Sequence, residues 1–222
     1  METFKDILAR HLALSLAKQQ ALAEYLGDHT WELDLQQGVV DFGRGRVFPV
    51  QILGTESEKD NTWLWGWANP MSGLPEEVLL DAERLREYGM RHEIRMLSEP
   101  RLPLADIAGH ALALVASGVC GADAYYRAPY EGGAIYFLIH DAPLNLEFAE
   151  RPDLVVSSLS RAIQLFEVDH RAVARAWMNT LLLEVEESGS QLIARKEGRT
   201  FLLVRFDGAG RIIGIDALAG EA

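Results

Sequence analysis

The chain contains 222 residues, of which 49% are hydrophobic and 24% charged, a composition typical of a globular protein that is long enough to bury a sizeable core. Its net charge of −12 and pI near 4.9 argue against nucleic acid and an anionic membrane surface as partners, because both require a basic protein face. The same charge is compatible with a basic protein partner. The single cysteine, Cys120, excludes an internal disulfide.

The N-terminal segment predicts a cytoplasmic protein. Charged residues, among them Lys5, Asp6 and Arg10, interrupt its apolar residues, whereas a secretory signal needs a continuous apolar stretch. No apolar run reaches the ~18 residues that a transmembrane helix requires. We therefore expect neither a signal peptide nor a membrane span.

The first half of the chain predicts one helix and then a meander of strands. Apolar residues recur at helical spacing over residues 3–26, and Gly27 follows as a typical C-terminal cap. Alternating segments separated by turn residues then predict antiparallel strands. These strands are expected at residues 31–35, 39–42, 48–53 and 63–67.

The second half predicts helices and hairpins in alternation. A helix is expected after Pro75 and another over residues 105–117, the latter preceded by the proline-bearing segment 100–103. A hairpin follows at residues 122–127 and 134–139, then a helix over 154–184 with a break near Asp169. The last predicted elements are three strands at residues 191–194, 200–206 and 211–215.

This order predicts the α+β class, with antiparallel sheet meanders packed against helices. No linker or low-complexity tract interrupts the chain. We therefore expect a single compact domain over residues 1–222, with 1–150 and 151–222 as structural halves in the other organisation that the pattern allows.

The most distinctive stretch is Thr-Trp-Leu-Trp-Gly-Trp-Ala-Asn-Pro at residues 62–70. Its three tryptophans stand at spacing two, so an extended backbone would place them on one sheet face as a tryptophan wall. An indole can bury roughly 150–250 Å² and its N–H requires a partner, so such a face meets the core, a ligand or another chain. Tyrosines on neighbouring strands could extend the wall. The predicted ligand-binding residues are Trp63, Trp65, Trp67, Tyr125, Tyr126 and Tyr136.

The wall motif also carries a resemblance. Together with Leu-Gly-Thr-Glu-Ser at residues 53–57 and Gly-Ala-Asp-Ala-Tyr-Tyr-Arg at 121–127, it resembles a family of uncharacterised bacterial proteins known as a domain of unknown function. The resemblance extends over residues 8–139. It implies a bacterial, soluble, stand-alone domain, and it brings no catalytic residue or cofactor with it.

A second hypothesis is an enzyme that uses His140, Asp141, Asp169 and His170 as an acid–base or metal site. The ligand spacings of known metal motifs are absent, and a histidine on an apolar helical stripe is more often a hydrogen-bonded core residue. Cys120 follows a predicted helix C-terminus, whose dipole disfavours a thiolate, so it is expected to serve in packing.

The sequence contains no P-loop, no Gly-x-Gly-x-x-Gly and no Gly-x-Ser-x-Gly motif, so we expect no cofactor. Of the two hypotheses, the sequence favours a non-enzymatic binding protein. Its aromatic sheet face would hold a small apolar or aromatic molecule, or a protein partner.

Overall fold

The structure is a computed structural model that describes residues 2–148 and 150–217. Its described residues form six α-helices and eleven strands in two antiparallel sheets, which confirms the α+β class. The backbone groups into two compact units, Met1–Phe4 with Leu22–Leu144 and Lys5–Ala21 with Asn145–Ala222. The prediction of a single domain over 1–222 stays a prediction. Within the described residues, none of the helices combines the length and the apolar character needed to span a membrane.

The first unit is built on a seven-stranded sheet. Its strands are β1 (Glu32–Asp34), β2 (Val39–Asp41), β3 (Val47–Ser57), β4 (Thr62–Trp65), β5 (Arg101–Pro103), β6 (Ala124–Tyr130) and β7 (Gly133–Ile139). They pair in the order β1-β2-β3-β4-β5, and β7 joins β3 and β6. The predicted meander and the hairpin are confirmed. The proline-bearing segment 100–103, to which the sequence assigns no element, contains β5, and Leu102 pairs with Trp63 to extend the sheet.

Four helices have residues in the first unit, and one of them, the N-terminal helix, contributes only its two ends. They are α1 (Phe4–Leu26), α2 (Leu80–Arg91), α3 (Arg95–Ser98) and α4 (Gly109–Cys120). Helix α1 ends at Gly27, which has a positive φ of 52° and donates its N–H to the Ala23 carbonyl at 2.9 Å. Helix α4 ends in the same way at Gly121, with a φ of 70°. A glycine in the local sequence therefore determines where each of these two helices ends.

The register of β3 assigns its side chains to two faces. Glu56 lies opposite Trp63 on β4 and Ala134 on β7, whereas its neighbour Thr55 lies opposite Leu64 and Ile135. Because successive residues of a strand point to opposite sides, these are different faces of the sheet. We call the first the indole face and the second the cleft face.

The second unit contains most of α1, two further helices and a four-stranded sheet. Its other elements are α5 (Pro152–Leu165), α6 (His170–Thr180), β8 (Glu184–Ser188), β9 (Gln191–Lys196), β10 (Arg199–Phe206) and β11 (Ile212–Ala217). The predicted helix break near Asp169 is confirmed, since its carboxylate accepts hydrogen bonds from the N–H groups of Arg171 and Ala172, both at 2.9 Å. The prediction of helix to residue 184 and of three strands is wrong, because β8 pairs with β9.

Candidate functional site

The strand predicted for the tryptophan wall is confirmed for two of its three members. Trp63 and Trp65 lie on β4, both 0% exposed, with ring centroids 5.3 Å apart in an edge-to-face arrangement. The Trp65 indole donates to the Met96 carbonyl at 3.3 Å. In this conformation both rings pack within the protein core, so a role for them in ligand binding stays a prediction.

The strand prediction is wrong for Trp67. The strand ends at Trp65, and Gly66–Ala68 forms a 3₁₀ turn that the Asn69 N–H closes on the Gly66 carbonyl at 3.2 Å. The half-buried Trp67 ring instead lies beneath the Arg86 guanidinium, 4.6 Å from its carbon to the ring centroid. The turn thus removes Trp67 from the wall.

The three predicted tyrosines divide between the two faces. Tyr136 packs against Trp63 with ring centroids 5.1 Å apart, and Tyr125 stacks on Tyr136 at 6.3 Å. Tyr126 lies on the cleft face, 5.0 Å from Phe42 and 6.3 Å from Trp31 by ring centroids. The structure therefore joins Trp63, Trp65, Tyr125 and Tyr136 in one cluster and places Tyr126 in another.

Polar groups lie at the edge of the indole cluster. The Arg127 guanidinium donates to the Glu56 carboxylate at 3.2 Å, and the Glu56 side chain is only 14% exposed. The same carboxylate lies against Gly109, the first residue of α4, where a Cβ would collide with it. An acidic group at a helix N-terminus is stabilised by the helix dipole. Glu56 thus connects β3 to α4.

Two buried polar atoms beside this ion pair, Trp63 Nε1 and Tyr136 Oη, have no hydrogen-bond partner among the described residues. Burial, together with the nearby Glu56, raises the pKa of Tyr136, which keeps its hydroxyl protonated at neutral pH. His110 Nδ1 bonds to Tyr125 Oη at 2.8 Å, and burial lowers the pKa of His110. The polar edge is consistent with a structural role under α4.

The four residues of the enzyme hypothesis are divided between the two units. His140 belongs to the first unit, where its Nε2 lies 2.8 Å from Asp81 Oδ2, and this bond raises its pKa. His170 belongs to the second unit, where its Nδ1 accepts from the Ile212 N–H at 3.1 Å. Asp169 serves as the cap of α6. His140 is therefore paired with Asp81, a residue that the hypothesis did not include.

Residues 2–148 and 150–217 contain no cluster of three or more His, Cys, Asp or Glu side chains that could hold a metal ion. Burial raises the pKa of Cys120 to about 12, so its thiol is protonated at neutral pH. Its Sγ lies 3.7 Å from the Asp81 carbonyl. These surroundings are those of a packing cysteine, as its sequence position predicts.

The site that the sequence prediction missed is an apolar cleft on the cleft face, with a volume of about 390 Å³. Thr55, Leu64 and Ile135, which lie side by side on three strands, form part of its lining. The rest of the lining is Trp31, Leu33, Leu35, Ile52, Gly54, Gly66, Asn69, Ser72, Leu74 and Tyr130. Five of these residues, Trp31, Leu33, Leu35, Leu74 and Ile135, are partly exposed and pack against the buried core of the first unit.

Residues 5–142 match a family of unknown function, DUF6882. The chain belongs to this family. The predicted membership of a domain-of-unknown-function family is thereby confirmed, and the family description names no activity. A search of the curated proteins found no match, and neither did a search of the solved structures.

The cleft of this DUF6882 chain lies wholly within the family match, since its lining begins at Trp31 and ends at Ile135. A sequence signal for it was present. Trp31, Leu33 and Leu35 alternate with the acidic residues Glu32 and Asp34, and Leu64 alternates with the tryptophans. Those alternations indicate an apolar stripe on the face that the wall does not occupy.

A second groove, of about 690 Å³, lies in the second unit, and most of its lining residues are outside the DUF6882 match. It is lined by residues of α1 and α6, including Arg171 and Arg175. Both arginines form ion pairs with Glu187, Arg171 at 2.6 Å. Both guanidinium groups are therefore already engaged within the protein, and the apolar cleft is the better candidate site.

Proposed function

We propose that the first unit is a non-enzymatic binding module that holds a small apolar molecule in the cleft. The observation that carries the proposal is the cleft itself, an apolar cavity of about 390 Å³ on one face of the sheet. Binding sites for small molecules typically have volumes of about 300–1,000 Å³ and a largely apolar lining with a few polar groups. A cytoplasmic location belongs to the same proposal.

The driving force would be the burial of apolar surface that the protein leaves partly exposed. Trp31, Leu33, Leu35, Leu64 and Ile135 each retain access to solvent. Covering apolar surface contributes about 2.5 kcal/mol for each 100 Å², before the entropy that the ligand loses on binding. An apolar molecule of suitable size would therefore bind without any catalytic group.

Placing the ligand in the cleft changes the roles that we propose for the aromatic residues. Trp31 lines the cleft directly, and Tyr126 supports the Trp31 ring from the side at 6.3 Å. Trp63 lies behind the cleft floor, since it packs tightly against Gly54, a lining residue. In this proposal the tryptophan wall supports the floor, and the residues that alternate with it provide the contact surface.

The test is a fluorescence titration with N-phenyl-1-naphthylamine, an apolar dye whose emission rises in apolar surroundings. We expect saturable binding of one dye per chain. Leu64→Glu, which places a charge in the cleft, should abolish it. Leu182→Glu, at a residue that is 93% exposed in the second unit, is the matched control and should bind as the wild type does.

Thermal unfolding of both variants shows whether each remains folded. Dye binding that is absent in the wild type contradicts the proposal. Equal binding by a folded Leu64→Glu variant contradicts it as well, because the dye would then occupy another surface.

A further inference from the structure

We infer that the ligand of the cleft is an uncharged, mainly apolar molecule that carries one hydrogen-bonding group, a hydroxyl or a carbonyl, which Asn69 recognises. This inference rests on the proposed function and adds the chemical class of the ligand. Its basis is the distribution of charge and of uncommitted polar groups around the cleft.

The first observation is that the lining contains only uncharged residues. A carboxylate or an ammonium group that enters an apolar site without a partner loses its hydration, which costs several kcal/mol. The chain also has a net charge of −12, which further disfavours an anion. The cleft is therefore suited to a neutral molecule.

By strand register, the charged residue Arg101 adjoins the cleft. It lies opposite Leu64 on β5, the edge strand, and thus continues the row formed by Ile135, Thr55 and Leu64. Arg101 is exposed and does not belong to the lining. A hydrated guanidinium at this position contributes little to the binding of an anion inside the cleft.

The second observation concerns the polar side chains of the lining. Thr55, Asn69 and Tyr130 make no side-chain hydrogen bond to any described residue of the chain, although Thr55 and Asn69 are half-buried. Their polar groups are therefore not committed to another part of the described chain and can bond a ligand. Asn69 offers both a donor and an acceptor, so it can bond either a hydroxyl or a carbonyl.

The backbone around Asn69 is held in place before any ligand arrives. The Asn69 N–H donates to the Gly66 carbonyl at 3.2 Å, and the Asn69 carbonyl accepts from the Ser72 hydroxyl at 2.6 Å. These bonds occupy the main chain and leave the side-chain amide to the ligand. A polar group that is already positioned reduces the entropy cost of binding.

The experiment measures displacement of bound N-phenyl-1-naphthylamine at pH 7 by two molecules that share one ring system, 2-naphthol and 2-naphthoate. We expect 2-naphthol to displace the dye at a concentration at least tenfold lower than 2-naphthoate. In Asn69→Leu, which keeps the size of the side chain, the affinity for 2-naphthol should fall about two- to twelvefold, because a neutral hydrogen bond contributes about 0.5–1.5 kcal/mol. The affinity of the dye itself should change less than twofold.

Arg101→Ala separates the remaining outcomes. If 2-naphthoate displaces the dye more strongly than 2-naphthol, and Arg101→Ala abolishes this displacement, then an anion is bound through Arg101. That result overturns the inference. The inference is also overturned if neither 2-naphthol nor 2-naphthoate displaces the dye, or if 2-naphthol displaces it equally well from Asn69→Leu and from the wild type. In both cases the proposed function stands, because it rests on dye binding alone. If the dye does not bind to the wild type, the proposed function fails first.

Discussion

The two faces of the sheet in the first unit use the same strands and differ in what covers them. On the indole face, Trp63, Trp65 and Tyr136 are 0% exposed and pack beneath helices of the same unit. On the cleft face, Leu64 and Ile135 stay partly exposed beside a cavity. Strand β4 is therefore buried on one side and partly exposed on the other.

The comparison shows that the tryptophans of the wall do not lie in the candidate site. An indole has so much apolar area that the protein gains most by burying it completely. The smaller residues that alternate with the indoles remain accessible. In this chain the aromatic motif therefore indicates the core, and the residues between its tryptophans indicate the candidate site.

The largest effect is expected where the two faces are tested directly. Trp63→Ala should lower the free energy of unfolding by about 3–5 kcal/mol, because it leaves a cavity in the core. Leu64→Ala, on the other face of the same strand, should cost about 1 kcal/mol and weaken dye binding. Urea unfolding of both variants measures the difference. A larger cost for Leu64→Ala would reverse the roles of the two faces.

A smaller loss is expected from overpacking on the indole face. In Gly109→Ala the new Cβ would collide with the Glu56 carboxylate and lie 3.2 Å from the Trp63 ring, which should cost about 1–3 kcal/mol. Gly208→Ala is the control, because a Cβ there meets nothing within 4 Å. Its unfolding free energy should change by less than about 0.5 kcal/mol. Equal stability of the two variants would disprove the tight approach of α4.

The histidines of the first unit should give pH effects of opposite sign. The Asp81 bond raises the pKa of His140, so its stabilising contribution is complete below about 6.5 and is lost as the pH rises through the raised pKa. Burial lowers the pKa of His110, so its contribution is complete above about 6.5 and is lost as the pH falls. Unfolding of wild type, His140→Gln and His110→Gln between pH 5 and 8 tests this. Differences that do not change with pH would contradict both assignments.

The smallest expected effect is a change in tryptophan fluorescence when a ligand binds. Trp31 lines the cleft, whereas Trp67 lies under Arg86 away from it. An apolar ligand should shift the tryptophan emission of the wild type, and Trp31→Phe should remove most of that shift. Trp67→Phe should retain it. A shift that depends on Trp67 instead would move the site to the 3₁₀ turn.

Much of the fold follows from local patterns. Period-two alternation places Trp63 and Trp65 on one side of a strand, and helical periodicity with a cap at Asp169 locates the break between α5 and α6. The errors also have physical causes. The strand prediction extends through Trp67 because the pattern continues, but Gly66 begins a 3₁₀ turn. Residues 101–103 have a weak local signal and become a strand only through pairing with β4.

The sequence by itself determines the α+β class, the strand that carries the tryptophans and the family to which the chain belongs, because periodicity and motif are properties of neighbouring residues. Which face of the sheet is covered was decided by tertiary structure alone. It depends on α4, whose Gly109 lies more than forty residues from Trp63 and contacts its ring. The alternation of β4 defines two faces equally well, and only the packing of a distant helix decides that the tryptophan side is fully buried while Leu64 on the other side stays partly exposed.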